Sequence, residues 1–186
     1  MRLPGRNVVL LGLTSFFADV ASEMVVPLLP AFLLLLGGGA SFVGLVEGLA
    51  EAVAAFFKYL SGREADRARR LLPLAALGYG IAAAARPFLA LAGAPWQVLA
   101  LRCTDRVGKG IRTSPRDKLL GQSAPEGALA EVFAFHRGMD HLGAAIGPLC
   151  AAALLSAFPG DLRRVFLVAS VPGVIAVLVL RSESTL

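Results

Sequence analysis

Asp19 and Glu23, Glu47 and Glu51, Arg102 and Arg106, and Arg137 and His141 are pairs set four residues apart. That spacing stacks both members of each pair on one face of a helix. Asp105, His136 and Asp140 fall on the same stretches, and all of these stretches are otherwise rich in apolar side chains. Three kinds of chemistry suit such residues. Carboxyls in a dry cavity, here Asp19 and Glu23, can take up and release a proton. Guanidiniums such as Arg102, Arg106 and Arg137 suit an anionic solute, although structural pairing with Asp105 and Asp140 is their expected use. His136, Asp140 and His141 have a spacing that suits a metal ion, but Arg137 in their midst would repel one. No metal or other cofactor is expected.

The elements that position these residues are long and apolar. Of 186 residues, 56% are hydrophobic and 17% charged, more apolar side chain than one water-soluble core of this size can hide. At about 20 residues per crossing, the chain holds six transmembrane helices joined by short loops. They are expected at residues 8–36, 41–60, 71–92, 95–111, 127–158 and 162–180, as a single all-α bundle. The first has no small-residue cleavage site after a short apolar run, so it reads as a retained helix. The fourth is the least hydropathic, with Arg102, Asp105, Arg106 and Lys109 inside it, and Arg112 to Glu126 then reads as a loop. Cys103 and Cys150 read as packing residues.

Ionised groups in a bilayer cost a few kcal/mol unless they face protein or water. The first, second, fourth and fifth segments carry them, which marks the walls of a cavity; the third and sixth are nearly bare and are expected to face lipid. Six crossings place both termini on one side. Arg2, Arg6, Arg63, Arg67, Arg69, Arg70, Lys109, Arg112, Arg116, Lys118 and Arg181 fall there, against Arg163 and Arg164 opposite. The positive-inside rule makes the terminal side cytoplasmic. The basic residues are interleaved with membrane segments, which argues against nucleic acid as a partner. No G-x-S-x-G nucleophile and no D-G-x-x-A-R frame is present, so an enzyme is not expected.

Gly62, Asp66, Arg67 and Arg70, between the second and third segments, resemble the G-x-x-x-D-R-x-G-R-R loop signature of the major facilitator superfamily, with Glu64 where a hydrophobe is usual. Gly143, Gly147 and Pro148 are similar to the G-x-x-x-G-P core of that family's antiporter motif, and close helix packing is the plainer role for such small residues. Arg106 to Gly110 resembles its R-x-x-x-G element, with Arg102 a second candidate for the arginine. Asp105 to Asp117 together with Phe135, His136 and Arg137 also resemble a bacterial branch of the superfamily.

The resemblance covers the amino-terminal half of such proteins. It implies one of two six-helix bundles related by an axis along the membrane normal, with substrate between them. The second bundle would be another copy of the chain, as a homodimer, or a separate carboxy-terminal half. The resemblance further implies a multi-pass protein of the bacterial inner membrane that works by alternating access, with proton-coupled efflux of a small solute. Asp66 would latch onto a helix start near Gly127 to Glu131 of the partner bundle. A metal-ion transporter using His136, Asp140 and His141, and a non-transporting regulatory subunit, stand as alternatives.

Overall fold

Pro27 has no N–H to donate, and its ring would clash with the carbonyl of Glu23 in a continuous helix. The first apolar segment breaks there, into α1 (Arg6–Glu23), a single 3-10 turn (Val26–Leu28) and α2 (Leu29–Leu35). The computed structural model describes residues 5–182, so Arg2 lies outside the described residues. Gly37 ends α2 at φ 87°, a left-handed conformation that a side chain would strain. Five long helices follow: α3 (Ala40–Arg67), α4 (Leu72–Leu89), α5 (Pro95–Gln122), α6 (Leu129–Ala157) and α7 (Leu162–Arg181).

Residues Arg6–Leu35 together, and α3, α4, α6 and α7 singly, are long and apolar enough to cross a membrane. The charges on α5 keep it out of that group. Its 28 residues span about 42 Å at about 1.5 Å per residue, more than the ~30 Å hydrocarbon core requires.

Two expected loops are helical. Gly62 to Arg67 continues α3, leaving a turn of only a few residues before α4, and Arg112 to Gln122 continues α5. Polarity suggested loops, but these side chains have partners. Lys118 Nζ donates to the Ala65 carbonyl at 2.7 Å. Arg112 reaches Asp19, and Leu119 and Leu120 are buried about two turns further on. Arg112 and Arg116 therefore belong to the bundle interior, and Lys109 to the middle of α5, rather than to a cytoplasmic loop.

The helices neighbour one another in the order α3, α5, α4, α7, α1, α6, with α1 and α5 also touching. Glycines set the closest approaches. A Cβ on Gly108 would lie 2.5 Å from the Gly78 carbonyl oxygen, and one on Gly110 2.7 Å from that of Ala54, so α5 sits backbone to backbone against α4 and α3. A Cβ on Gly143 would lie 2.6 Å from the Phe16 carbonyl oxygen, so α6 meets α1 in the same way. Exposed Leu167, Val171, Val174 and Leu178 give α7 an apolar outer face, as a lipid-facing helix requires. On α4, however, Arg86 is buried. The third segment, expected to be nearly bare and to face lipid, thus turns its one charge into the bundle.

Arg163 and Arg164, the exceptions to the charge asymmetry, are tied down locally. Arg163 Nη1 donates to the Ala90 carbonyl just past α4, and its guanidinium lies 5.2 Å from the Phe32 ring centroid. Arg164 pairs with Asp161 at 2.7 Å.

Candidate functional site

The charged stripe of α5 organises the interior. Arg102, 2% exposed, donates through Nε and Nη2 to the two oxygens of Glu47 on α3, each at 3.2 Å. Its Nη1 lies 3.5 Å from Asp105, and the other Asp105 oxygen lies 3.2 Å from Arg86 of α4. One turn on, Arg106 pairs with Glu51 of α3 at 3.3 Å. Two turns beyond that, Arg112 reaches Asp19 of α1 at 3.5 Å and stacks over the Tyr79 ring at 4.3 Å. Of the expected i, i+4 stripes, Glu47 with Glu51 and the Asp19 half of the first thus meet the Arg102–Arg106 stripe on α5, and Arg137 with His141 does not. Arg102 and Asp105 do pair, as anticipated. Arg137 and Asp140 do not: Asp140 turns to His136, while Arg137 is exposed and forms no ion pair among the described residues. Glu23 forms none among the described residues either, and its Cβ packs against Gly147.

Ser15 is a junction that sequence reasoning missed. Its Oγ lies 3.0 Å from Tyr79 OH, 2.9 Å from His136 Nε2 and 3.2 Å from Arg116 Nη1, so one hydroxyl joins α1, α4, α5 and α6. His136 Nδ1 faces Asp140 at 3.4 Å. A hydroxyl has one proton and two lone pairs. Arg116 can only donate and Tyr79 can donate as well; with Nδ1 facing the Asp140 carboxylate, the arrangement fits a His136 that carries its proton on Nδ1 and accepts the Ser15 proton on Nε2. Nitrogen-15 spectra of the protein labelled at histidine should show one ring in this Nδ1–H form. The signal should move in Ser15→Ala and vanish in His136→Gln. Two ordinary Nε2–H rings would contradict the assignment.

Arg86, Lys109, Arg112, Arg116 and Tyr79 were not among the expected cavity residues. Arg86 was visible as the one charge in an apolar span, and Arg112 and Arg116 continue the i+3/i+4 stripe of Arg102, Arg106 and Lys109.

The sequence pattern of the Major Facilitator Superfamily matches residues 11–185. The chain belongs to that superfamily. An uncharacterised MFS-type transporter of Methanocaldococcus jannaschii is 33% identical over 90% of this chain and 42% of its own length. An uncharacterised protein of Mycobacterium tuberculosis is 36% identical over 81% of this chain and 37% of its own. The chain therefore spans about two-fifths of the length of these relatives. Among solved structures, a POT family transporter in complex with 5-aminolevulinic acid superposes with TM-score 0.85 at 16% identity, covering 96% of this chain and 38% of that one. An inward-facing, occupied bacterial homologue of the human lysosomal transporter Spinster gives TM-score 0.81 at 21% identity, covering 99% and 45%. At these identities the likeness is one of fold. Superfamily membership and the apolar helices make this a multi-pass membrane protein of a transporter family.

The superfamily's loop motif sits at the end of α3. Gly62 lies against Ser114 of α5, and Arg67 and Arg70 are exposed. The Asp66 side chain is 83% exposed, with Lys118 Nζ 3.5 Å away. Gly143 and Gly147 of the antiporter-like motif form the α1–α6 contact, with Pro148 beside them inside α6. Among the described residues, no three His, Cys, Asp or Glu side chains are grouped to hold a metal ion. His136 is buried against Ser15, whereas His141 is exposed.

Proposed function

We propose that the chain supplies one bundle of a two-bundle, proton-coupled secondary transporter that works by alternating access and exports a small solute. The observation that carries the reading is the pair Glu51 and Lys109. Glu51, 64% exposed, stands near the middle of α3, and exposed Lys109 near the middle of α5. Acyl chains cannot solvate such groups at mid-membrane depth. Their face is one that water, solute and a second bundle cover. That bundle is a second copy of this chain or a separate carboxy-terminal half, and parallel repeats permit either. Asp66, exposed at the end of α3, would latch onto the start of the partner's fifth crossing. The excess of Arg and Lys at the terminal side favours cytoplasmic termini in a bacterial inner membrane. The likeness of Gly143 to Pro148 to the antiporter motif favours efflux.

Asp19 and Glu23 are the proton carriers in this reading, because neither is locked. Asp19 meets its arginine at only 3.5 Å and Glu23 has no ion pair among the described residues, whereas Asp105 is held between two buried arginines. Vesicles loaded with a pH-sensitive dye and challenged with a panel of small solutes should show solute-driven proton movement. Asp19→Asn or Glu23→Gln should slow it at least tenfold. Full rates in both variants would sink the carboxylate assignment. Native mass spectrometry of the purified protein then distinguishes a dimer from a complex with another half.

A further inference from the structure

We infer that Arg106, Lys109 and Arg112 bind an acidic group, a carboxylate or a phosphate, on the transported solute; this rests on the transporter reading above. Lys109 is the fifteenth of the 28 residues of α5. Arg106 and Arg112 stand three residues to either side of it, on the same face of the helix. Lys109 is exposed and forms no ion pair among the described residues. The charged groups around it are Arg106, Arg112, Asp19 and Glu51, three cations counting Lys109 itself against two carboxylates.

The hydrogen-bonding inventory shows the same excess. The Arg106 and Arg112 side chains are 5% and 4% exposed. Each uses Nη2 on its carboxylate, and on each the buried Nε and Nη1 have no partner. A guanidinium presents five N–H donors and accepts nothing, and a buried N–H left unmade is costly. The deficit is local. One turn earlier Arg102 holds Glu47 through two bonds and Asp105 through a third contact. One turn later Arg116 holds Asp117 and Ser15. Along α5, only the two turns from Arg106 to Arg112 keep buried donors without acceptors, at the depth where an exposed ammonium demands a polar occupant.

An oxyanion supplies what is missing, since it only accepts and it matches the guanidinium fork. Lys109, open to the cavity, makes the first contact; the four arginine nitrogens, closed off from solvent in this arrangement, are reached as Glu51 and Asp19 yield.

The test uses the full chain purified in nanodiscs with whatever second bundle it carries. Its melting temperature is followed with inorganic phosphate, succinate, glucose or tetramethylammonium at constant ionic strength. Phosphate or succinate should raise it saturably, and Lys109→Gln should weaken the apparent affinity at least tenfold, with Arg181→Gln unchanged. Arg112→Gln should do the same where it folds; exposed Lys109 keeps the test valid where it does not. Equal affinity in Lys109→Gln, or no saturable effect of either anion on the wild type, overturns the inference. Saturation by glucose or tetramethylammonium alone overturns the anion site and leaves the transporter reading standing. Loss of that reading would show separately, as the absence of solute-driven proton movement in vesicles.

Discussion

Replacing Asp105 with alanine is expected to prevent stable folding. The side chains of Arg86 and Arg102 that flank Asp105 are 4% and 2% exposed, and the substitution leaves Arg86 with no ion-pair partner among the described residues, only the more distant charge of Asp19. Breaking a buried pair by removing one partner costs about 3–5 kcal/mol, because the remaining charge stays desolvated. Arg102 still has Glu47, so most of the loss falls on Arg86. The cost is thus a property of the stranded charge, and removing that charge should recover it. Arg86→Met combined with Asp105→Leu replaces an ion pair by apolar volume at the α4–α5 contact, an exchange that is often neutral or favourable. Melting temperature and the monodisperse fraction in mild detergent measure both variants. The single change should lower both sharply and the double change should restore most of the loss, giving a large coupling energy in the double-mutant cycle. Equal damage in single and double variants would mean that Asp105 matters for something other than neutralising Arg86.

This network also shows what the sequence discloses and what it hides. Apolar runs bounded by Gly and Pro marked five of the six segments, because burial in lipid imposes length and hydropathy on each independently; the charged fourth rested on topology parity and the resemblance. Of the four charged pairs, Glu47 with Glu51 and Arg102 with Arg106 met in one network and Asp19 joined it alone, because desolvation restricts where ionised groups can stand. The partners were another matter. Asp105 was matched with Arg102, three residues away on the same helix, but its shorter contact is to Arg86, 19 residues earlier. Only the packing of α4 on α5 brings those two together. Arg112 and Arg116 were assigned to a loop because local polarity was weighed without knowing that Asp19, Tyr79 and Ser15 would receive them. Ser15 and Tyr79 gave no signal at all. A serine and a tyrosine in apolar helices are unremarkable in sequence, and their junction exists only where four helices cross.

The glycines of α6 give the second large effect and separate packing from coupling. A Cβ on Gly147 would stand 2.7 Å from the Glu23 Cβ and 2.9 Å from the Val20 carbonyl oxygen. Backbone atoms cannot move aside as a flexible side chain can, so Gly147→Val must push α6 off α1. Because α6 leans chiefly on α1, little else holds it in place. Overpacking of this kind costs about 1–3 kcal/mol, and the upper end is expected here, with Gly147→Ala showing a smaller loss of the same kind. Gly138 lies on the same helix with nothing within 4 Å of an added Cβ. Gly138→Ala should therefore leave stability unchanged or raise it by up to ~1 kcal/mol, the helix-propensity gain. Transport per folded molecule decides what the motif does beyond packing. If Gly147→Ala lowers the melting temperature and the folded fraction transports at the wild-type rate, the antiporter-like segment is an α1–α6 spacer. If the folded fraction loses proton-coupled transport while still binding solute, the α1–α6 contact is itself the moving joint, and Glu23, seated against Gly147, is the group whose protonation it senses.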